Sequence, residues 1–234
     1  MLGTVLALGG GGFSMSDDGT SALDDFLLDL TGAARPRVCF VPTASGDDND
    51  YSRRFEAAFA DRAETSVLSL FSHEPWGYRD PRMLLEQDVI YVGGGSTANL
   101  LAVWRLHGLP ELLREAAANG TVLAGVSAGM NCWFEGASTD SFGPLAPLPD
   151  GLGLLRGSAC PHYLGEPGRR EKYLGWVADG VLGDGYAADD HAALLFRDGE
   201  LVEAVAEQDG RPVVRVERRG DQAVETEVPV RRLA

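Results

Sequence analysis

A glycine-flanked serine, Gly125-Val126-Ser127-Ala128-Gly129, stands between an apolar run, Thr121-Val122-Leu123-Ala124, and a helix-compatible run. The apolar run reads as a buried strand. G-x-S-x-G between a strand and a helix is the pattern of a nucleophile elbow. Such a turn strains the serine backbone, and a side chain at either flanking position would crowd the neighbouring strand and helix. The hydroxyl then stands above the sheet at a helix N-terminus, where backbone N–H groups favour developing negative charge. The plain alternative for Ser127 is a helix N-cap.

A serine nucleophile needs a base to take its proton and a group to orient that base. Four histidines are available. His162 ends a short extended piece, Ser158-Ala159-Cys160-Pro161-His162-Tyr163, and its position after the elbow favours it. His191 comes next, beside Asp190 in a polar break. His107 sits at a helix C-terminus, where capping suits it, and His73 lies in a turn-rich segment. The orienting acid stays open among Asp189, Asp190, Asp140 and Glu135, for each of which turn or cap service is the ordinary role. No HExxH pattern occurs, and the neighbouring side chains of Asp189-Asp190-His191 alternate in direction if the backbone is extended. Neither a metal nor a cofactor is expected.

Two more glycine runs end apolar strands. Gly9-Gly10-Gly11-Gly12 follows the strand at 4–8. It lacks the spacing and the later acidic residue of a dinucleotide fingerprint, and reads as a loop whose backbone approaches something closely. Gly93-Gly94-Gly95-Ser96-Thr97 follows the strand at 88–92 and precedes a helix. Its backbone N–H groups can cradle an anion, and with no P-loop lysine the cradle reads as an oxyanion hole.

The elements that must position these groups follow from periodicity. Strands are expected at 4–8, 37–41, 65–70, 88–92 and 121–124, and helices at 21–31, 51–62, 81–86, 98–106 and 110–118. Such alternation builds a mostly parallel sheet with helices on both faces, and ligands gather at the carboxyl ends of its strands. All three glycine loops lie at such ends. After the elbow, 143–157 reads as irregular loop with short strands and 169–177 as a helix. Residues 186–196 read as strand, polar break, strand, and Asp198-Gly199 as a hairpin turn. Further strands at 201–206, 211–217 and 223–230 make the C-terminal third an antiparallel extension. No linker or repeat divides the chain, so residues 1–234 are expected to form one domain.

The chain has 234 residues, of which 44% are apolar, enough for a sizeable core. A formal charge of −15 argues against nucleic acid and anionic membrane as partners. An acidic substrate would therefore need a local cationic pocket. Three scattered cysteines fit reduced thiols in the cytoplasm. The N-terminus reads as a first strand rather than a signal peptide, and no apolar stretch is long enough to span a membrane.

Taken together, Leu6-Ala7-Leu8-Gly9-Gly10-Gly11, Pro42-Thr43-Ala44-Ser45, Gly93-Gly94-Gly95-Ser96-Thr97-Ala98-Asn99-Leu100-Leu101, the elbow, Pro161-His162 and Asp189-Asp190 resemble the serine peptidases that include peptidase E (aspartyl dipeptidase) and cyanophycinase. The resemblance covers most of the chain. It implies an α/β fold related to class I glutamine amidotransferases and a triad in the chain order Ser, His, acid. That order supports Ser127 and His162 with a later acid, and matching Asp189-Asp190-His191-Ala192-Ala193 to a D-E-G-T-A-like stretch puts Asp190 where the family usually has glutamate. It further implies an oxyanion hole from the N–H of Ala128 with that of Gly94 or Gly95. Arg169, or next Arg170, would read a substrate carboxylate, and Asp140 would support the site. The implied activity is hydrolysis of small peptides, foremost Asp-Xaa dipeptides, through an acyl-enzyme. The alternatives are a cyanophycinase-like β-aspartyl peptide hydrolase and an inactive binding protein of the same fold. The expected partner is a small peptide, and a homodimer is compatible with the sequence.

Overall fold

The computed structural model describes residues 3–72 and 74–234, so His73 lies outside the described residues. The first half alternates as expected: β1 (Thr4–Leu8), α1 (Ala22–Asp29), β2 (Arg37–Val41), α2 (Asn49–Phe59), β3 (Glu64–Val67), β4 (Val89–Val92), α3 (Thr97–Leu106), α4 (Leu109–Ala118) and β5 (Val122–Val126). Side chains set the helix starts. Ser21 Oγ accepts the N–H groups of Leu23 and Asp24 to open α1, and Asp48 accepts that of Tyr51 to open α2. The strand expected at 65–70 stops at Val67, because the N–H groups of Leu70 and Phe71 turn to the buried Asp47 carboxylate instead of a neighbouring strand. The helix expected at 81–86 is a 3-10 turn capped by Asp80.

The second half contains α5 (Ala128–Asn131), β6 (Phe134–Thr139), β7 (Ala146–Leu148), β8 (Leu155–Cys160), α6 (Arg169–Ala178), β9 (Gly185–Ala188), β10 (Ala192–Arg197), β11 (Glu200–Ala206), β12 (Val213–Arg219), β13 (Gln222–Glu227) and β14 (Val230–Arg232). Two sheets result. The larger runs β14-β11-β10-β1-β5-β4-β2-β3, with β1, β5, β4, β2 and β3 parallel and β10 antiparallel to both its neighbours. The smaller runs β13-β12-β9-β8-β6-β7 and has a parallel centre, β9-β8-β6. The C-terminal strands are thus shared between the sheets: β10 and β11 widen the first, β12 and β13 the second. The chain crosses from one to the other at residues 189–191.

The strand β6 was not expected. Five of its six residues are buried, so it shows no alternation for sequence periodicity to find.

Both faces of the large sheet are covered. On one, Leu6, Leu8, Phe40 and Tyr91 pack on Leu23 and Leu27 of α1 and Phe55 and Phe59 of α2. Phe13, just past the first glycine loop, meets the rings of Phe40, Tyr51, Phe55, Phe59 and Tyr91 at 5.5 to 5.9 Å between centroids. On the other, Val5, Cys39, Ile90 and Leu123 share a core with α3, α4 and the small sheet, which contributes Phe134, Leu155 and Ala159. Among the described residues no helix is long and apolar enough to cross a membrane.

Candidate active site

Ser127 sits between β5 and α5 at φ 58° and ψ −109°. This is strained backbone for a residue with a side chain. The flanking glycines are there because the chain passes so close to itself. A Cβ on Gly125 would lie 2.4 Å from the Gly129 carbonyl oxygen, and one on Gly129 would lie 2.4 Å from that of Val92. The Ser127 side chain caps no N–H of α5, so the N-cap alternative does not hold. Its hydroxyl is left over for other work.

One strand end assembles the constellation. Three consecutive carbonyls at the end of β1 each receive an N–H: Leu8 from Ser127 at 3.0 Å, Gly9 from His162 at 3.2 Å and Gly10 from His191 at 3.0 Å. His162 follows Pro161 in a left-handed conformation, φ 50°. Its Nδ1 lies 2.5 Å from Asp190 Oδ1. This hydrogen bond holds the Asp190 carboxyl below the usual carboxylate range. The pair lies in a slot between glycines. A Cβ on Gly10 would come within 2.2 Å of Asp190 Oδ1, and one on Gly165 within 2.3 Å of Asp190 Oδ2. Bare backbone on both sides lets the 189–191 turn move in, so a side chain one methylene shorter than glutamate still reaches the imidazole.

The other acids and histidines go elsewhere. Buried Asp189 accepts the N–H groups of Leu164 and Gly165, both at 3.0 Å, and so pins the loop that follows His162. His191 pairs through Nδ1 with Glu207 at 2.8 Å. Glu135 accepts the Gly157 N–H at 2.7 Å. His107 is the C-cap residue of α3, as its position suggested. Among the described residues no group of three or more His, Cys, Asp or Glu could hold a metal ion.

Ser127 opens onto a cleft of about 370 Å³ lined by Gly95, Ser96, Asp140, Ser141, Glu166 and Arg169. A larger cavity of about 580 Å³, lined among others by Arg211, Val213, Glu227 and Pro229, contains none of these groups. The 93–95 loop lies against the serine: a Cβ on Gly94 would be 3.4 Å from Ser127 Cβ. The Gly94 N–H, however, already donates to Tyr51 Oη at 3.2 Å. That leaves Gly95 in the loop and Ala128, whose N–H at the first position of α5 has no intrahelical acceptor. Asp140 ends β6. Its neighbour Ser141 accepts the Ala98 N–H at 3.1 Å and so ties the Asp140 turn to the start of α3.

Arg169 opens α6 and is buried in the cleft wall, where Nε and Nη2 donate to Glu166 Oε2 at 2.9 and 2.5 Å and Nη1 to the Pro161 carbonyl at 3.3 Å. Arg170 does not line the cleft. It points to β13, where its Nε donates to Glu225 at 3.0 Å. Sequence reading missed Tyr51, Asp189 as a loop anchor, and Glu166. For Glu166 a signal existed, an acid three residues before Arg169 at a helix start. For Tyr51 there was none, since a phenol on an amphipathic helix has no distinctive spacing.

The model of Peptidase family S51 matches residues 5–204. "Uncharacterized peptidase YgaJ" of Bacillus subtilis (strain 168) is 46% identical over 230 residues, covering 98% of each chain. "Peptidase E" of Streptomyces coelicolor is 32% identical over 186 residues, 77% of this chain and 74% of that one. The fold is similar to the crystal structure of a peptidase from an acI-B1 Actinobacterium, with a TM-score of 0.68 at 16% identity over 96% of this chain and 97% of that one. A putative peptidase E protein from Listeria monocytogenes EGD-e gives a TM-score of 0.61 at 21% identity over 86% and 96%. With the G-x-S-x-G elbow seated as described, the match over most of the length leaves one assignment: the chain belongs to Peptidase family S51 and is a serine peptidase.

Proposed function

We propose that this serine peptidase removes N-terminal aspartate from small peptides, foremost Asp-Xaa dipeptides, through an acyl-enzyme. Ser127 Oγ attacks the scissile carbonyl carbon while His162 Nε2 takes its proton. Asp190 holds the other ring nitrogen, which fixes the tautomer and stabilises the imidazolium. The N–H groups of Gly95 and Ala128 receive the oxyanion, with Gly94 held by Tyr51 as support for the loop. His162 then gives its proton to the leaving amine, the C–N bond breaks, and water activated by the same imidazole cleaves the ester. Arg169 faces the substrate's side-chain carboxylate, and Asp140 lines the same cleft. The observation that carries this reading is the His162–Asp190 pair hung from the same strand end as the strained Ser127.

Ser127→Ala is expected to lower Asp-Leu hydrolysis by about a thousandfold or more while leaving the circular dichroism spectrum intact. Activity above a few per cent in folded protein would reject the nucleophile. Parallel assays of α-Asp and β-Asp dipeptides separate the aspartyl dipeptidase reading from the β-aspartyl one. Failure of the folded wild type to react with a fluorophosphonate probe would revive the inactive binding protein.

A further inference from the structure

Arg169 is a buried cation that already holds an anion. Its side chain is 3% exposed, whereas the Glu166 side chain bound to it is 40% exposed, and both line the cleft with Ser127. A buried guanidinium without a partner is strongly unfavourable, so Glu166 is the counter-ion that allows Arg169 to stay inside the wall of the free enzyme. A carboxylate arriving from the cleft can take the Nε/Nη2 edge of Arg169 only if Glu166 yields its place. Building on the aspartyl reading above, we propose that Glu166 is an intramolecular stand-in for the substrate's side-chain carboxylate, occupying Arg169 until an N-terminal aspartate displaces it.

The geometry suits such an exchange. The Glu166 backbone is fixed on both sides of its Cα: its N–H donates to the His162 carbonyl at 3.2 Å, and its carbonyl accepts the Arg169 N–H at 3.2 Å. The residue therefore stays put while its flexible side chain can rotate toward solvent. The swap is balanced in charge, since one carboxylate leaves the guanidinium as another arrives. Without it, an acidic side chain would enter a cleft that presents Asp140 and Glu166 against a single cation. With a neutral N-terminal residue Glu166 keeps its place, so the arginine is never left bare. The internal carboxylate competes at high effective concentration, and it competes with acidic side chains alone.

The test compares Glu166→Gln with wild type on Asp-Leu and Ala-Leu. It also compares L-aspartate binding, by calorimetry, to Ser127→Ala and to the double variant Ser127→Ala/Glu166→Gln. The expected result is a fall in KM for Asp-Leu, relative to that for Ala-Leu, of at least about five-fold, with a matching gain in aspartate affinity. Glu166→Asp, which keeps the charge on a shorter side chain, should fall between the two and serves if the amide destabilises the fold. Adding Arg169→Ala should erase the gain. A KM that moves equally for both peptides, or weaker aspartate binding, would show a structural counter-ion and overturn the proposal. If wild type neither cleaves Asp-Leu nor binds aspartate although Ser127 labels, the N-terminal aspartate reading fails on its own. In that case aspartate binding gained by Glu166→Gln upholds the stand-in, and no gain removes it as well.

Discussion

Asp190 is shorter by one methylene than the glutamate that the family resemblance implies at this point, yet it lies 2.5 Å from His162 Nδ1. An asparagine there fills the same space but offers an amide that can hold the wrong imidazole tautomer. Asp190→Asn is therefore expected to lower kcat by about 10³ to 10⁴ with little change in KM, as steady-state kinetics on Asp-Leu would show. A loss under tenfold would remove Asp190 from the orienting role proposed for it. The same contact has a sign in stability. The Asp190 pKa is depressed in the folded state, so its contribution is present above the ordinary carboxylate range and is lost as pH falls through the folded value. At this scale the sequence singled out Ser127 and His162 as candidates, because glycine and proline neighbours leave a local trace. It left Asp189, Asp190, Asp140 and Glu135 open, because the partner of a loop acid is decided by which strand end lies opposite. It also gave no hint that the Gly94 N–H would be taken by Tyr51 of α2.

Strand ends, more than helices, set the precision of this site. The turn between β9 and β10 brings Asp190 against Gly10, and the turn between β4 and α3 brings Gly94 against Ser127. These approaches separate two kinds of glycine. A methyl on Gly10 meets Asp190 Oδ1 and His162 Nδ1, which are side-chain atoms free to move. Gly10→Ala should thus cost at least about a hundredfold in kcat by misplacing the pair, with a small change in melting temperature. A methyl on Gly129 meets the Val92 carbonyl, which is backbone and cannot give. Gly129→Ala should lower stability by about 1–3 kcal/mol or more, measured by urea unfolding. Equal effects of the two on stability would contradict this division. The parallel strands and their helices were legible from periodicity and capping residues. The small sheet was legible only in part, since β6 is buried along nearly its whole length and β9 and β10, near neighbours in sequence, belong to different sheets.

Across the whole molecule, one buried acid outside the cleft lining sets a pH dependence of its own. Asp24 of α1 accepts the Phe13 N–H at 2.6 Å through one oxygen, while its other oxygen and the nearby Tyr91 hydroxyl have no hydrogen-bond partner among the described residues. Burial pushes its carboxyl up to about 7, from 3.8 in the unfolded chain. Between those values the native state holds a proton that the unfolded chain has released. Stability then falls with rising pH, by at most about 1.4 kcal/mol per unit, and levels off above the folded value. Asp24→Asn carries no such titration, so its stability relative to wild type should rise between pH 4.5 and 7.5. An unchanged difference in urea unfolding at the two pH values would refute it. The row of carbonyls at the end of β1 has a consequence for biogenesis. Leu8, Gly9 and Gly10 are made first, but the groups that dock on them come from Ser127, His162 and His191, each later in synthesis. These are long-range pairings, which form late in folding. A chain still being translated cannot hold the dyad until residue 190 has left the ribosome and the 189–191 crossing has settled between the sheets. On the proposed roles, catalysis by the nascent chain therefore waits for that crossing to form.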